Sequence, residues 1–303
     1  MYAGRRVNAS EKEEMRPPKG EADGGAPPSQ LSARTLPALS MIGLAAGVRQ
    51  LALGQHGSVF TMLGIIPAAG LGSRLQPLGC SKELLPLGVS GAGGAPRAVI
   101  EYLLERMLLA GADRIGIVIS GAKTDIVRYV ARSDGPTCLF FVLQPQPLGL
   151  CDAVFRVMPW VRAEELVLMG LPDTVWFPRN AFCHVPQESL HLITFPVERP
   201  EQFDAVLCSR PGEVERVEVK CAGAAGRRVW GAITGPGAAW LRLHQLWLAR
   251  ESRDVYLGHL FNAWLQRGER LTADTQGEEY LDVGTLRGFQ QAQWRLEDRQ
   301  VVG

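Results

Sequence analysis

Between residues 63 and 169, short apolar runs alternate with helix-patterned segments, and this alternation constrains the fold more than any other feature of the chain. The runs cover 63–67, 115–119, 139–143 and 166–169. Their brevity and unbroken apolar character fit strands buried on both faces. Between them, 98–110 carries helical spacing with Gly111 placed as a C-cap, and 123–132 and 149–158 read as helices. Strands alternating with helices predict an α/β fold with a doubly wound, mostly parallel sheet and right-handed crossovers. Ligands of such sheets bind beyond the C-terminal ends of the strands. The second half is less regular: 190–197, 205–208, 213–219 and 228–234 read as strands, and 240–250, 256–267 and the segment after Gly284 as helices. No linker-like stretch or internal repeat separates it, so it reads as a lobe fused to the first half.

The first apolar run leads into Ala68-Ala69-Gly70-Leu71-Gly72-Ser73-Arg74, with Ser81-Lys82-Glu83-Leu84-Leu85-Pro86 close behind. Gly70 and Gly72 can take backbone angles closed to other residues. Successive N–H groups in such a turn make an anion-binding nest. Arg74 adds a planar fork of donors and Lys82 a mobile point charge. A polyphosphate uses all of these together. The Walker loop does not fit, because Gly72-Ser73-Arg74 ends in arginine without a following hydroxyl. The dinucleotide fingerprint does not fit, because Leu75 stands where a third glycine is needed. A plain glycine turn after a core strand would explain the glycines but not the two cations.

Gly-x-Gly-Ser/Thr-Arg followed by Ser-Lys-x-Leu-Leu-Pro resembles the signature of the sugar-1-phosphate nucleotidylyltransferases, in pattern closest to the glucose-1-phosphate thymidylyltransferases. The resemblance continues in order through Leu143-Gln144-Pro145-Gln146-Pro147-Leu148-Gly149-Leu150, Leu171-Pro172-Asp173, Arg199-Pro200-Glu201-Gln202-Phe203, Val217-Glu218-Val219-Lys220, Ala232-Ile233-Thr234-Gly235 and Tyr280-Leu281-Asp282-Val283-Gly284-Thr285. It spans roughly residues 62 to 290. It implies a Rossmann-like nucleotidyltransferase fold with a sugar-binding lobe. The implied reaction transfers a nucleotidyl group from a nucleoside triphosphate, dTTP or UTP favoured, to a sugar-1-phosphate, releasing pyrophosphate. It implies Arg74, Lys82, Asp173 and Asp282 as catalytic residues, with Asp173 and Asp282 holding Mg2+. Ala69, Gly70, Gly72, Ser73, Gln144 and Gly149 would bind the nucleotide. Thr174, Val219, Lys220 and Ile233 would bind the acceptor. Homo-oligomers are usual in the family.

Taken alone, Asp173 after Pro172 is ordinary turn chemistry. Asp282 before a helix is an ordinary N-cap. Lys220 at a strand end is an ordinary surface charge. The chain also departs from the pattern. Thr174 replaces an asparagine, Val219 a glutamate and Cys221 a proline, and Glu83 stands where some relatives have glutamine. Thr174 and Val219 occupy positions that touch sugar hydroxyls in the family, so glucose is put in doubt. Two other readings stay open: a nucleotidylyltransferase acting on a non-sugar phosphate, such as a phosphorylated amino-alcohol, and a non-catalytic nucleotide or sugar-nucleotide sensor. A glycosyltransferase would need an Asp-x-Asp near Asp173, which is absent.

A formal net charge of +1, with 21% charged residues, gives no sign of a nucleic-acid surface. Six scattered cysteines without a CxxC pair fit free thiols in a reducing cytoplasm. Cys80, in the loop region, has no neighbouring base in any motif and reads as a spectator. Residues 1–61 are rich in Pro, Gly, Ala and mixed charge without a persistent period, which predicts disorder. The mildly apolar stretch at 38–54 is too short to span a bilayer. Met62 directly precedes the first core strand and is expected to be the true start, with 1–61 an over-extended reading frame. An intact mass of the native protein that includes residues before Met62 would refute this.

Overall fold

The computed structural model describes residues 61–88, 96–131, 137–251 and 253–301. The expected N-terminal extension lies outside them, apart from Thr61. The first half runs β1 (Met62–Pro67), β2 (Pro86–Leu87), β3 (Arg97–Ala98), α1 (Val99–Leu109), β4 (Arg114–Ile119), α2 (Thr124–Val130), β5 (Cys138–Leu143), α3 (Leu150–Phe155), β6 (Leu166–Gly170) and β7 (Thr174–Phe177). The second runs β8 (Leu190–Pro196), β9 (Asp204–Arg210), β10 (Glu213–Val219), β11 (Arg228–Pro236), α4 (Gly237–Leu248), α5 (Leu257–Gln266), β12 (Leu271–Ala273), β13 (Glu279–Asp282) and α6 (Leu286–Val301).

Nine strands form one sheet in the order β5-β4-β1-β6-β11-β8-β12-β10-β9. The strands β5, β4, β1 and β6 are mutually parallel. They are the four apolar runs that open the chain, and helices cover both of their faces. Leu63 and Ile65 pack toward the core that holds α3, α4 and α5, whereas Ile66 packs toward α1 and α2. That split follows from the two-residue period of a strand. Gly64 has no side chain because α1 lies against it: a Cβ there would come within 2.6 Å of Met107 Sδ.

Beyond β6 the sheet turns mixed. β11 pairs antiparallel with β6 through Ala232–Pro236 and with β8 on its other side. Its first residues, Arg228 and Val229, also pair with β9. The pairings β11–β8, β8–β12, β12–β10, β10–β9 and β9–β11 therefore close five strands into a cycle. The expected long elements are all present, with ends displaced by a few residues. The short strands β2, β3, β7, β12 and β13 were not expected, because each is too short to show a period of its own and is defined by its pairing partner. One of these pairs, β13 on β7, sets Asp282 directly opposite Thr174.

Candidate active site

The loop after β1 is tied to the next strand by the Ala68 N–H, which donates to Val118 O at 2.7 Å. Gly72 takes φ 64°, in the left-handed region, and starts a 3-10 turn over Ser73–Leu75. That conformation favours glycine. Gly70 has no left-handed angle and open space around it, so the expectation of special angles holds for Gly72 alone. Ala69 is buried, while Gly70, Ser73 and Arg74 are exposed.

The Ser81-Lys82 segment is braced from two sides. Asp125, at the start of α2, accepts from both the Ser81 N–H and its hydroxyl at 2.7 Å. Lys123 Nζ donates to both Glu83 oxygens, at 2.8 and 2.7 Å, and to Ala68 O at 2.8 Å. Glu83 is 1% exposed. Burial pushes its carboxyl up and the Lys123 ammonium down, and their contact opposes both shifts. Glu83 therefore turns away from the loop's ligand face and fastens the two cation-bearing segments to each other. Neither Lys123 nor Asp125 belongs to a recognisable motif. The one available signal was that a glutamate in such a loop needs a cation.

Lys82 pairs with Asp173, which follows β6. Burial works against the lysine's charge, but the Asp173 carboxylate, with Glu83 behind it, outweighs burial and holds Lys82 above its ordinary value. Asp173 O accepts from the Val283 N–H at 2.9 Å, which locks the end of β13 beside it. The Gly284 N–H then donates to Asp282 Oδ1 at 2.9 Å. Burial raises the Asp282 carboxyl; the Gly284 N–H opposes this, the Asp173 charge adds to it, and Arg74 and Lys82 lower it again.

The four residues assigned to catalysis thus meet. A Cβ at Gly284 would sit 2.9 Å from Asp282 Oδ1, 3.3 Å from Arg74 Nη2 and 3.4 Å from Asp173 Oδ2, and Lys82 pairs with that same Asp173 oxygen. Two facing carboxylates suit a magnesium ion, which takes one or two protein carboxylates and completes its shell with water and substrate phosphate. Among the described residues no group of three or more His, Cys, Asp or Glu side chains is gathered to hold a metal ion, and at this site the two aspartates stand as a pair.

The residues assigned to the base lie at the end of β5. Gln144 is buried, and its amide donates to Gly149 O at 3.1 Å and Asp152 Oδ2 at 2.8 Å. Asp152 in turn accepts from Arg156 Nε at 2.7 Å. Gly149 takes φ 96°, and a Cβ there would come within 2.5 Å of Val255. This network fixes Gln144 with no donor on its amide oxygen among the described residues, and neither Asp152 nor Arg156 was anticipated.

The acceptor residues are less gathered. Lys220 is exposed at the end of β10 with φ 44°, and its ammonium lies 4.2 Å over the Tyr256 ring. Val219 precedes it, partly buried against the core. Thr174 is 3% exposed, and its hydroxyl donates to Leu171 O at 3.0 Å. Ile233 corrects the sequence reading. It is 0% exposed within the core between β6 and β8, so its side chain supports the sheet and does not face a cleft. Cys80 has its thiol raised by burial and by Asp125 and Glu83, which leaves it a poor nucleophile.

No protein-family model matches the chain. Over 204 residues it is 29% identical to the bifunctional protein GlmU of Pseudomonas paraeruginosa, covering 65% of this chain and 42% of that protein. Over 128 residues it is 29% identical to UTP--glucose-1-phosphate uridylyltransferase of Streptococcus pneumoniae, covering 35% and 40%. The matches thus span about two fifths of the length of these curated relatives. Among solved structures, a putative glucose-1-phosphate thymidylyltransferase from Bacillus anthracis superposes with TM-score 0.67 at 20% identity, covering 78% of this chain and 96% of that one. UDP-glucose pyrophosphorylase from Acinetobacter baumannii superposes with TM-score 0.63 at 19% identity, covering 80% and 99%. The α/β fold is that of these structures. Together with the sequence relatives, they support the sugar-1-phosphate nucleotidylyltransferase family that the motifs resemble.

Proposed function

We propose that this protein is a sugar-1-phosphate nucleotidylyltransferase, joining dTTP or UTP to a sugar-1-phosphate with release of pyrophosphate. The observation that carries the reading is the meeting of Arg74, Lys82, Asp173 and Asp282 around Gly284. The loop N–H groups and Arg74 receive the triphosphate. Lys82 leaves Asp173 for the phosphates and stabilises charge on the departing pyrophosphate. Lys220 holds the acceptor phosphate so that one of its oxygens faces the α-phosphorus in line. Alignment and charge neutralisation supply most of the acceleration. Asp173 and Asp282 would hold Mg2+, which screens the anionic partners when bound. Gln144, fixed through Asp152, presents its amide oxygen to the base.

No helix of the described residues is long and apolar enough to cross a membrane. All six cysteines are free thiols, which supports a reducing, cytoplasmic setting. Incubation from Met62 onward with magnesium, each nucleoside triphosphate and a panel of sugar-1-phosphates, read by product mass, tests the proposal. A nucleoside-diphosphate sugar from one pair is the expected outcome. Triphosphate binding with no product from any sugar refutes it in favour of a sensor or a non-sugar acceptor.

A further inference from the structure

Asp204 opens β9 and lies directly opposite Val219 in the β9–β10 ladder. Directly opposed residues of an antiparallel pair share a face. The start of α5 bears this out: a Cβ at Gly258 would meet Asp204 Oδ2 at 2.9 Å and Val219 Cγ2 at 2.6 Å. Lys220 follows at once. Its N–H donates to Phe203 O at 2.9 Å, which returns the chain to the residue before Asp204. One small patch therefore carries a carboxylate, a valine and the lysine assigned to the acceptor phosphate.

Asp204 is half-buried and, among the described residues, has no ion-pair partner. Burial pushes its carboxyl up. Lys220, the Trp230 indole N–H, His259 and the Gly258 N–H oppose that shift. The indole N–H is buried and stays outside hydrogen-bond geometry with any partner. A carboxylate partly stripped of water and without an ion-pair partner among the described residues is costly to hold. A ligand that brings a donor removes that cost. The competing structural role is a charge at the N-terminus of α5, where the capping position, Tyr256, makes no side-chain bond.

We infer that Asp204 recognises the acceptor, its carboxylate accepting a hydrogen bond from a hydroxyl of the sugar phosphate that Lys220 holds. The inference rests on the nucleotidyl-transfer reading. It restores, from the opposite strand, a polar group that Val219 does not provide. A site built this way rejects acceptors that lack the hydroxyl.

The test compares wild type with Asp204→Ala, Asp204→Asn and the double variant Asp204→Ala/Val219→Glu. UTP and dTTP, each with a panel of hexose-1-phosphates, serve for kinetics and for calorimetric binding. Asp204→Ala should raise KM for the best sugar phosphate about tenfold or more. KM for the triphosphate should stay unchanged, and the double variant should recover most of the loss. Asp204→Asn, which keeps an acceptor oxygen for the helix but not the charge, should also weaken the sugar phosphate. An active wild type with unchanged sugar-phosphate KM in Asp204→Ala overturns the role of Asp204 and leaves nucleotidyl transfer standing. A lowered melting temperature without a change in that KM assigns the residue to α5. A wild type that neither binds nor converts any hexose-1-phosphate overturns both readings.

Discussion

The two halves of the site are built on opposite plans. On the parallel side the charged and polar groups around the loop are braced by protein: Ser81 on Asp125, Glu83 on Lys123, Lys82 on Asp173, and Gln144 on Asp152, which Arg156 holds in turn. On the antiparallel side Lys220 rests on an aromatic face, and Asp204 stands beside it without an ion pair among the described residues. The first plan suits a ligand part common to every turnover, the triphosphate, because preorganised charge stabilises it without rearrangement. On the proposed function, the second leaves charge to be satisfied by the acceptor. Bracing marks what is held constant; unpaired charge marks what is chosen.

That contrast can be broken first at the carboxylates. Asp173→Asn or Asp282→Asn should lower kcat by about a hundredfold or more, with circular dichroism unchanged. Full activity in either variant removes that residue from the chemistry. The bracing is tested by Glu83→Gln, which leaves Lys123 buried and uncompensated. It should destabilise the fold by about 3–5 kcal/mol, read by denaturant unfolding. Replacing both partners, Glu83→Leu with Lys123→Met, should recover most of that stability while still loosening the loop, seen as a raised KM for the triphosphate. Equal stability in Glu83→Gln would mean that the parallel half is not braced as described.

On the unbraced side, Lys220→Ala should leave stability nearly untouched and raise KM for the acceptor phosphate about tenfold, the worth of a charge-assisted hydrogen bond. An unchanged acceptor KM places Lys220 on the surface. Gly72→Ala should cost about 1–2 kcal/mol through its left-handed φ, read as weaker triphosphate binding. The smallest effect is expected at the seam, where His244 of α4 stacks on Phe155 of α3 at 5.0 Å. Burial, with Arg253 nearby, holds its imidazole below the ordinary histidine value. A lowered value means that the unfolded chain takes up the proton first. This stability is therefore present above the ordinary histidine range and lost as pH falls through the depressed value. His244→Gln should flatten that part of the curve of melting temperature against pH.

The braced half was also the more legible one. Its strands are continuous apolar runs, and the loop residues sit within a few positions of one another, so local pattern carries most of the information. What escaped was pairing at a distance. Lys123 reveals its role only when Glu83 is found buried forty residues away. Asp204 reveals its own only when β9 is laid against β10 in register. The strands β7 and β13 are too short to show a period and are defined by each other. Ile233 shows the opposite failure: its motif was found in order, but an apolar residue in the middle of a central strand belongs to the core.

The β13–β7 pairing carries a consequence for the order in which the molecule comes into being. The loop, Lys82 and Asp173 can all be in place once the parallel strands have folded. Asp282 arrives only when a segment near the end of the described chain docks across β7 and the Val283 N–H reaches Asp173. If the proposed function holds, the residues assigned to the triphosphate all precede Asp282 in the order of synthesis. On the proposed function the second carboxylate completes the site, and a chain stalled before it emerges is expected to hold nucleotide without consuming it.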